Sequence, residues 1–291
     1  MPENVKLPKR VAYVDFQIKN PQKDGENANR LEGLNVRFSI SKFRGQIQGK
    51  ARISICNLSS EDIEYLTTYM SPWVEIQKSK KIQLFAGYEN NIGLLFSGDI
   101  LKAIPTTPPD IWLHCEALGG YYNNLITASF TMNGPIALAD ICKTVSAKLG
   151  VAFVNDASEN VATYKIDSFS HTGGITNAVK KINDLGIGCV WVDGETMYLA
   201  DNEPKKDSSK QVRLLTEQSG LIGIPEPGPI GLNATMLLDP SIKLGELIEV
   251  RSKMMPSING IYWTYELEHT GELRGNDWYT KIKCKRFDYG R

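Results

Sequence analysis

Histidines and cysteines are the residues of this 291-residue chain whose side chains could act as nucleophiles, bases or metal ligands. The three histidines, His114, His171 and His269, fall in no HExxH or other short metal-binding spacing. His114 is followed directly by Cys115 on a predicted strand, so the two side chains point to opposite faces and cannot form a catalytic dyad. We predict that all three histidines are structural.

The cysteines are odd in number, and no two lie close enough for a CxxC motif of the kind that binds zinc or exchanges disulfides. Four fall in apolar strand-like runs and one in a helical run, which is typical of buried thiols. We therefore predict reduced, buried cysteines in a protein made in the cytoplasm: Cys56, Cys115, Cys142, Cys189 and Cys284.

Motifs of other enzyme classes are missing from the sequence. It contains no P-loop, GxGxxG or EF-hand loop, and the stretch Leu95–Gly98 lacks the first glycine of a GxSxG nucleophile elbow. Glu226, between two prolines, is a candidate acid only by position, and its setting predicts a rigid solvated loop. Trp263 and Trp278, with neighbouring tyrosines, favour core and interface packing over a ligand platform. We predict no catalytic, cofactor-binding or metal-binding residues and no enzymatic activity.

The charges of the chain cancel. Lys and Arg number 33, and Asp and Glu also number 33, which argues against a protein that grips nucleic acid by its phosphates. A neutral chain suits a protein that works in an assembly. The first ten residues are polar, which predicts no signal peptide, and no apolar run approaches the roughly 18 residues of a membrane helix. A chain of 291 residues is expected to hold two or three domains.

Alternation of apolar and polar residues predicts strands in the N-terminal part. The cleanest case is Leu34, Val36, Phe38 and Ile40, and the other predicted strands are Val11–Ile18, Ala51–Ile55, Lys81–Ala86, Leu94–Ile104 and Ile111–Ala117. A short helix, capped by Ser59 or Ser60, lies among them. Residues 1–118 are therefore predicted to form a β-barrel.

Residues 119–205 are predicted to form a small α+β domain. Two helices are expected, each followed by a strand: Pro135–Leu149 with Val151–Val154, and Ile175–Leu185 with Gly188–Val192. Gly150 and Gly186 are the predicted helix stops, and Asp193-Gly194 predicts a tight hairpin turn.

The β pattern returns after the polar stretch Asp201–Lys210, which predicts an exposed linker. The predicted strands are Val212–Leu215, Leu232–Leu237, Leu244–Val250, Ile261–Glu268 and Trp278–Lys285, with the Gly- and Pro-rich stretch Gly220–Gly231 among them. Residues 206–291 are thus predicted to form a second β-barrel. The fold class is mainly β with an α+β insert between two barrels.

The two β regions also share residues at matching positions before their strands, separated by a fixed number of residues. Gly93 lies 167 residues before Gly260, and Asp110 lies 167 before Asp277, and each of these residues precedes or opens a strand. We interpret this as a duplicated barrel. Glycines at predicted strand ends or bends, where a curved sheet needs positions without a Cβ atom, are Gly87, Gly93, Gly98, Gly245 and Gly260.

A set of short motifs, in this order, resembles phage tail hub proteins of the late-control protein D type. The motifs are Ile53–Leu58 before a short helix, Ile82–Tyr88, Leu95–Ile100, Gly220–Pro225, Leu238–Gly245, Asn259–Tyr262 and His269–Gly271. The resemblance covers most of the chain and is weakest in the α+β middle. It implies that the barrels are tube-like, and it carries no catalytic residues.

The resemblance implies the structural hub of a contractile-tail baseplate. Three subunits, each with two tube-like barrels, would form a pseudo-sixfold ring between the sixfold tail tube and the threefold spike. The implied partners are two more copies, the tail tube or tube-initiator protein, the central spike and other baseplate proteins, with no cofactor. The implied location is the virion tail, after assembly in the host cytoplasm. Genomic DNA would pass through the lumen without specific binding, and no membrane insertion is expected.

Three alternatives stay open at this point. The first is a tail-associated cell-wall hydrolase, which needs converging acids or a metal site. The second is a carbohydrate-binding module, which the aromatic residues could serve. The third is the hub of a tailocin or related contractile injection machine, to which the same physical arguments apply.

Overall fold

The computed structural model describes residues 8–16, 30–45, 49–69, 81–120, 126–203, 212–228 and 230–287. The first β half, before residue 119, contains β1 (Arg10–Phe16), β2 (Arg30–Glu32), β3 (Val36–Phe43), β4 (Lys50–Cys56), α1 (Ser60–Tyr69), β5 (Lys81–Tyr88), β6 (Asn91–Pro105) and β7 (Trp112–Leu118). Val36, Phe38 and Ile40 are buried and their neighbours exposed, so the predicted alternation is confirmed. Ile18, predicted to continue β1, lies outside the described residues.

Helix α1 begins at a serine cap. The Ser59 hydroxyl accepts a hydrogen bond from the backbone N–H of Asp62 at 3.0 Å, so Ser59 is the cap of the two predicted. Asp62 and Glu61 also place negative charge in the first turn, where the helix dipole favours it. The inward face of the helix contributes Leu66 to the core of the first β half.

The insert between the β halves contains β8 (Thr127–Ala137), α2 (Leu138–Leu149), β9 (Ala152–Asn155), α3 (Glu159–Ala162), β10 (Lys165–Gly174), α4 (Ile175–Asp184), β11 (Cys189–Asp193) and β12 (Thr196–Ala200). The second predicted helix and the predicted hairpin are confirmed. Asp193 pairs with Thr196 across the turn. Gly150 ends α2 with a left-handed φ of 71°, as a helix stop requires.

The predicted start of the first helix at Pro135 is wrong. Helix α2 begins at Leu138, and Pro135 belongs to β8, a strand that the sequence analysis missed together with its partner β10. Within the described residues, β8 pairs only with β10, so it is an edge strand, and such a strand tolerates a proline that lacks an N–H. The proline was taken as the first residue of a helix because it directly precedes an amphipathic pattern.

The second β half contains β13 (Arg213–Leu215), β14 (Leu221–Pro227), β15 (Gly231–Leu237), β16 (Leu247–Val250), β17 (Gly260–Glu272) and β18 (Trp278–Arg286), with a 3-10 turn at Pro256–Ile258. The Gly- and Pro-rich stretch is strand β14 rather than a loop, and it pairs with β15 around an irregular segment between Ile222 and Glu226. Of the predicted linker, residues 204–210 lie outside the described part of the chain.

One 13-stranded sheet runs through both β halves. Its main path is β14-β15-β18-β17-β3-β4-β7-β6-β5-β1-β2, and β13 and β16 join at β17. The halves meet where β3 pairs antiparallel with β17, from Phe43 opposite Glu266 to Arg37 opposite Glu272. We call this ladder the β joint. Because of it, the two predicted barrels are parts of one hydrogen-bonded sheet.

Each half of the sheet curls around its own hydrophobic core. In the first half, β1 and β3 are far apart along the sheet, yet Val14 and Ile40 belong to the same core. A second core gathers Leu215 and Ile282 from opposite parts of the second half, and a third fills the insert. The fold class, mainly β with an α+β insert, is confirmed. The domain boundaries after residues 118 and 205 stay a prediction, and Trp278 of the second half packs in the first core.

The two β halves repeat one order of strand pairing. The first half runs β3-β4-β7-β6-β5 and the second β14-β15-β18-β17-β16, so the same five strands follow in the same chain order. The next neighbour differs, because β1 joins β5 antiparallel whereas β13 joins β16 parallel. The shared order supports the predicted duplication over five strands in each half.

The register of the strand pairs shows which residues correspond in the two halves. β6 and β17 each carry a bulge, at Leu101 and at Tyr265. The residue pair directly before the bulge is Ile100 with Ala117 of β7 in the first half and Thr264 with Cys284 of β18 in the second. Ala117 and Cys284 are 167 residues apart, whereas Leu101 and Tyr265 are 164 apart. The chain offset therefore differs between the two strand pairs.

This register corrects one of the two predicted correspondences. Ile111–Ala117 matches Trp278–Cys284 at the offset expected from the sequence. Phe96–Ile100, however, matches Gly260–Thr264, an offset of 164 instead of the expected 167, so Gly93 and Gly260 are not equivalent. The bulges set the alignment, because they decide which side chains face the core.

Replacing Gly98 by alanine is expected to destabilise the protein by about 1–3 kcal/mol, because the added methyl group overpacks the strand. The new Cβ would lie 2.6 Å from the carbonyl oxygen of Leu118 and 2.5 Å from the ring of Phe96. The matched control is Gly260→Ala, whose Cβ would meet its nearest neighbour at 3.8 Å. Urea unfolding of both variants measures the difference, and equal stabilities would contradict the steric argument. The same geometry gives no steric reason for a glycine at position 260.

Candidate functional site

The three histidines lie in three separate parts of the fold, and each has a hydrogen-bond partner. His114 is exposed on β7, and its Nδ1 lies 2.7 Å from the hydroxyl oxygen of Ser54. His171 in β10 donates from Nε2 to the carbonyl oxygen of Gly174 at 3.0 Å. His269 is buried within β17, which continues beyond the predicted strand end at Glu268 to Glu272. The fold therefore brings no two histidines together.

The cysteines are free thiols, and four of the five are buried. Burial raises the pKa of Cys115, Cys142 and Cys284 to about 12, which suppresses the reactive thiolate form. Cys189 is only half-buried, which departs from the prediction. Across the described ranges, no group of three or more His, Cys, Asp and Glu residues could hold a metal ion.

Glu226 does not lie in a solvated loop, as its Pro-Glu-Pro setting predicted. It is exposed on strand β14 and pairs with Asn233 of β15. A flanking proline is compatible with a strand at the edge of a sheet, where its missing N–H leaves no ladder partner unsatisfied. The candidate acid is thus part of a strand edge.

The features that stand out are contact surfaces, and the first is the β joint. Its anchor is Arg44, which follows β3 and is 5% exposed. The Arg44 guanidinium lies 5.1 Å from the ring of Trp191 in the insert and 5.1 Å from the ring of Trp263 in β17. It also donates to the backbone carbonyl oxygens of Asp201 and, at 3.1 Å, of Asn202. One side chain from the end of β3 therefore contacts both the insert and the second β half.

Burial lowers the pKa of Arg44, while Cys189, Asp201 and Asp156 act in the opposite direction. The planar guanidinium suits this place, because it stacks on aromatic rings and donates in its plane at the same time. The sequence analysis missed Arg44. An arginine between Phe43 and Gly45 carries no recognisable pattern, and only the fold brings its partners together.

Further polar contacts seat the insert near the same end of the β joint. Lys42 forms an ion pair with Asp193 at 2.8 Å, and Lys81 pairs with Glu195. The side-chain amide of Asn183 donates to the carbonyl oxygen of Gly45 at 3.3 Å. The turn at the tip of the insert hairpin is thus held against the first β half.

The face of the sheet opposite the cores is open and polar across β18, β17, β3, β4 and β7. Charges on it are paired between strands: Lys283 lies 2.9 Å from Glu266, and Arg52 lies 3.7 Å from Glu116. The outward side chains of β3 and β4 are mostly arginine, lysine and serine. Because opposite charges are paired across strands, the net electrostatic potential of this face is small.

Two strand edges carry exposed apolar side chains. One is β14, the end of the main sheet path, where Ile222 is 41% and Ile224 52% exposed. The other is the C-terminal part of β6, which after Asp99 pairs with β7 alone among the described residues. Leu101 and Ile104 there are 39% and 44% exposed. We call these the β14 edge and the β6 edge.

The order of elements and the joined β halves match a known protein family. The model of the family described as "Baseplate hub gp41" matches residues 13–284, which includes both β halves and the insert. The chain belongs to this family. The hub protein is therefore a structural protein of a phage tail, as its resemblance to tail hub proteins predicted.

Solved structures share the fold of the hub protein at low sequence identity. A tail protein from Neisseria meningitidis MC58 superposes with a TM-score of 0.65 at 11% identity, covering 96% of this chain and 97% of that one. The 43 kDa tail protein of prophage MuSo2 from Shewanella oneidensis gives 0.62 at 9% identity, over 96% and 97%.

The E. coli c3393 protein, a component of the type VI secretion system, gives a TM-score of 0.56 at 8% identity over 87% and 74%. A search among curated proteins found no match for the hub protein. None of the helices within the described ranges has the length and apolar character needed to cross a membrane.

Proposed function

We propose that three copies of the hub protein form a pseudo-sixfold ring that joins the sixfold tail tube to the threefold spike of a contractile tail. The observation that carries the proposal is the repeated strand order of the two β halves, β3-β4-β7-β6-β5 and β14-β15-β18-β17-β16. Two similar halves in each of three chains present six similar units around one axis. Such a ring is complementary to sixfold and threefold neighbours at once.

The open polar face is the part that we assign to the lumen. The opposite face of the sheet carries the cores, so this is the face free to line a channel. Its charges are paired between strands, as in Lys283 with Glu266. A wall with paired charges holds phosphates weakly, which suits a channel that genomic DNA must leave. The insert would then lie outside the ring.

The protein acts in this proposal as a scaffold and not as an enzyme, with the tail tube, the spike and other baseplate proteins as partners. The c3393 protein belongs to a type VI secretion system, and likeness to its fold extends the proposal to other contractile injection machines. No specific feature of the described residues favours a cell-wall hydrolase or a carbohydrate-binding module.

The test is the mass of the protein in solution together with averaged electron-microscope projections. We expect a particle of three 32.4 kDa chains, alone or when co-expressed with the spike protein of the same tail. Projections along its axis should show six similar densities around an opening. A particle of two or four chains, or an axis blocked by the insert, would contradict the ring.

A further inference from the structure

The β14 edge and the β6 edge occupy the places that the β joint uses inside the chain. The joint pairs β3 with the C-terminal part of β17. In the repeated order of the two halves, β14 corresponds to β3 and β6 corresponds to β17. Each half therefore contains one strand of each kind that forms the joint: β3 and β6 in the first half, β14 and β17 in the second. The joint inside the chain uses β3 and β17, and β14 and β6 are the equivalent strands that it does not use.

A contact that repeats the joint between copies would bring the β14 edge of one chain against the β6 edge of the next. Such a head-to-tail contact generates a ring when its rotation closes. This step rests on the proposed function, because a ring of three chains needs three such contacts besides its three internal joints. The question is how these edges meet.

Register identifies the residues that would face each other. Ala117 corresponds to Cys284, and these residues pair with Ala51 of β4 and Leu232 of β15. Ala51 in turn pairs with Ile40, and Leu232 pairs with Pro227. Pro227 in β14 therefore corresponds to Ile40 in β3.

The same reasoning identifies the partner on the other edge. Pro105 stands four residues after the bulge at Leu101, as His269 stands four residues after the bulge at Tyr265. In the β joint, Ile40 pairs with His269. A repeated joint would thus set Pro227 of one copy opposite Pro105 of the next.

Both prolines turn their nitrogen towards the open edge. The backbone N–H of Thr106 donates to the carbonyl oxygen of Trp112 in β7, so the nitrogen of Pro105, one residue earlier, points away from β7. The N–H of Gly228 donates to the carbonyl oxygen of Gly231 across the hairpin, so the nitrogen of Pro227 also points outward. Because proline has no N–H, neither residue can donate at this pair, and each carbonyl group would face the partner's proline ring instead of a donor.

We propose that neighbouring copies meet along the β14 edge and the β6 edge through apolar side chains, without a hydrogen-bonded strand ladder. The occupant of each edge is a second copy of this chain. The side chains available on one edge are Ile222 and Ile224, 41% and 52% exposed, and on the other Leu101 and Ile104, 39% and 44% exposed. The halves of one chain are thus joined by backbone hydrogen bonds, whereas neighbouring chains pack through side chains. The prolines account for this difference, since proline commonly protects strand edges from pairing.

A contact of this kind depends on apolar burial, so one charge should weaken it. We expect Ile104→Asp to raise the concentration at which half of the trimer dissociates by about tenfold or more. The matched control is Val154→Asp, a strand residue of the insert with 41% exposure, which should leave the trimer intact. Circular dichroism of both variants checks that each chain remains folded.

A crosslinking experiment tests which edges meet. Chains carrying Gly228→Cys are mixed with chains carrying Ile104→Cys and treated with a short bismaleimide, with the wild type as background for its five native cysteines. We expect covalent dimers in the mixture and none from either variant alone. A Cβ at position 228 meets its nearest neighbours, the Asn233 side chain and the carbonyl oxygen of Gly231, at 3.8 Å, so the substitution fits.

The outcomes separate this inference from the proposed function. A particle of three chains without the crosslink, or one that Ile104→Asp leaves intact, would overturn the edge contact while the ring stands. Crosslinking of Ile104→Cys chains with themselves would show a two-fold contact and overturn the head-to-tail arrangement. A chain that stays monomeric even with its spike protein would overturn both.

Discussion

Replacing Arg44 by methionine should lower the free energy of unfolding by about 3–5 kcal/mol, the largest effect that we expect from a single substitution. The variant loses the stacking of the guanidinium between Trp191 and Trp263. It also leaves the carbonyl oxygens of Asp201 and Asn202 without their donor. Hydrogen bonds that involve a charged group contribute about 1.5–3 kcal/mol each, and a desolvated cation–π contact contributes about 2 kcal/mol.

Tryptophan fluorescence during urea unfolding is the suitable measurement, because Trp191 and Trp263 flank the replaced group. The control is Arg52→Met, since Arg52 is exposed on β4 and its ion pair with Glu116 is long, at 3.7 Å. Surface pairs of this kind contribute about 0–1 kcal/mol. Equal destabilisation by the two substitutions would refute the role of Arg44 as the link between the two β halves and the insert. Arg44→Lys should recover only part of the loss, because an ammonium group cannot stack and donate in one plane.

Replacing His269 by glutamine should make the protein less sensitive to acid. Burial, with a smaller effect of Lys42, lowers the pKa of His269 to about 3, while Asp239 acts in the opposite direction. The side chain is 2% exposed, and Nδ1 lies 2.9 Å from the hydroxyl oxygen of Thr280. In the unfolded chain, a histidine keeps a pKa of about 6.5.

The sign of the effect follows from proton uptake. Below about pH 6.5 the unfolded chain binds a proton that the folded chain does not bind until about pH 3, so the wild type loses stability as the pH falls through this window. At about pH 4.5 the loss is about 2–3 kcal/mol. The stability difference between wild type and His269→Gln should shrink by this amount between neutral pH and pH 4.5.

His114→Gln is the control for this measurement. His114 is exposed on β7 whereas His269 is buried, so the comparison separates the effect of burial from the loss of a histidine. Its stability difference from the wild type should change far less over the same pH range. A constant difference for His269→Gln would mean that the buried imidazole takes up its proton in the folded state near its ordinary pKa.

Local patterns were sufficient for most of the strands. The alternation of Val36, Phe38 and Ile40 predicted β3 correctly, because a strand buried on one face needs that period of two. The motif order also pointed to the hub family that the family model confirms. These features depend on neighbours along the chain, so the sequence displays them directly.

Proline was the main source of error in reading local patterns. Pro135 was assigned to a helix start and Glu226, between two prolines, to a loop, but both residues lie in edge strands. A proline marks a missing N–H, and only the sheet order decides whether that N–H would have been needed. The sequence could not show that β8 and β14 are edges, because this depends on strands distant in the chain.

The repeated strand order was suggested by the sequence, but the alignment of the two halves was not. The offset of 167 residues between Gly93 and Gly260 suggested the repeated order. The bulges at Leu101 and Tyr265, however, give these two strands an offset of 164, three residues less. A bulge depends on how two strands pair, so it leaves no mark in either strand alone. The β joint has the same origin, since β3 and β17 are more than two hundred residues apart.

The sequence by itself determined most of the strands, the two long helices of the insert, the cancelled charge and the family of this protein. The tertiary structure decided that the two halves share one sheet, that Arg44 contacts both the insert and the second half, and that two proline-bearing strand edges have no pairing strand among the described residues. The physical reason is the range of the interactions involved. Burial periodicity acts between adjacent residues and is written in the chain, whereas strand pairing and cation–π stacking join residues that only the folded chain brings together.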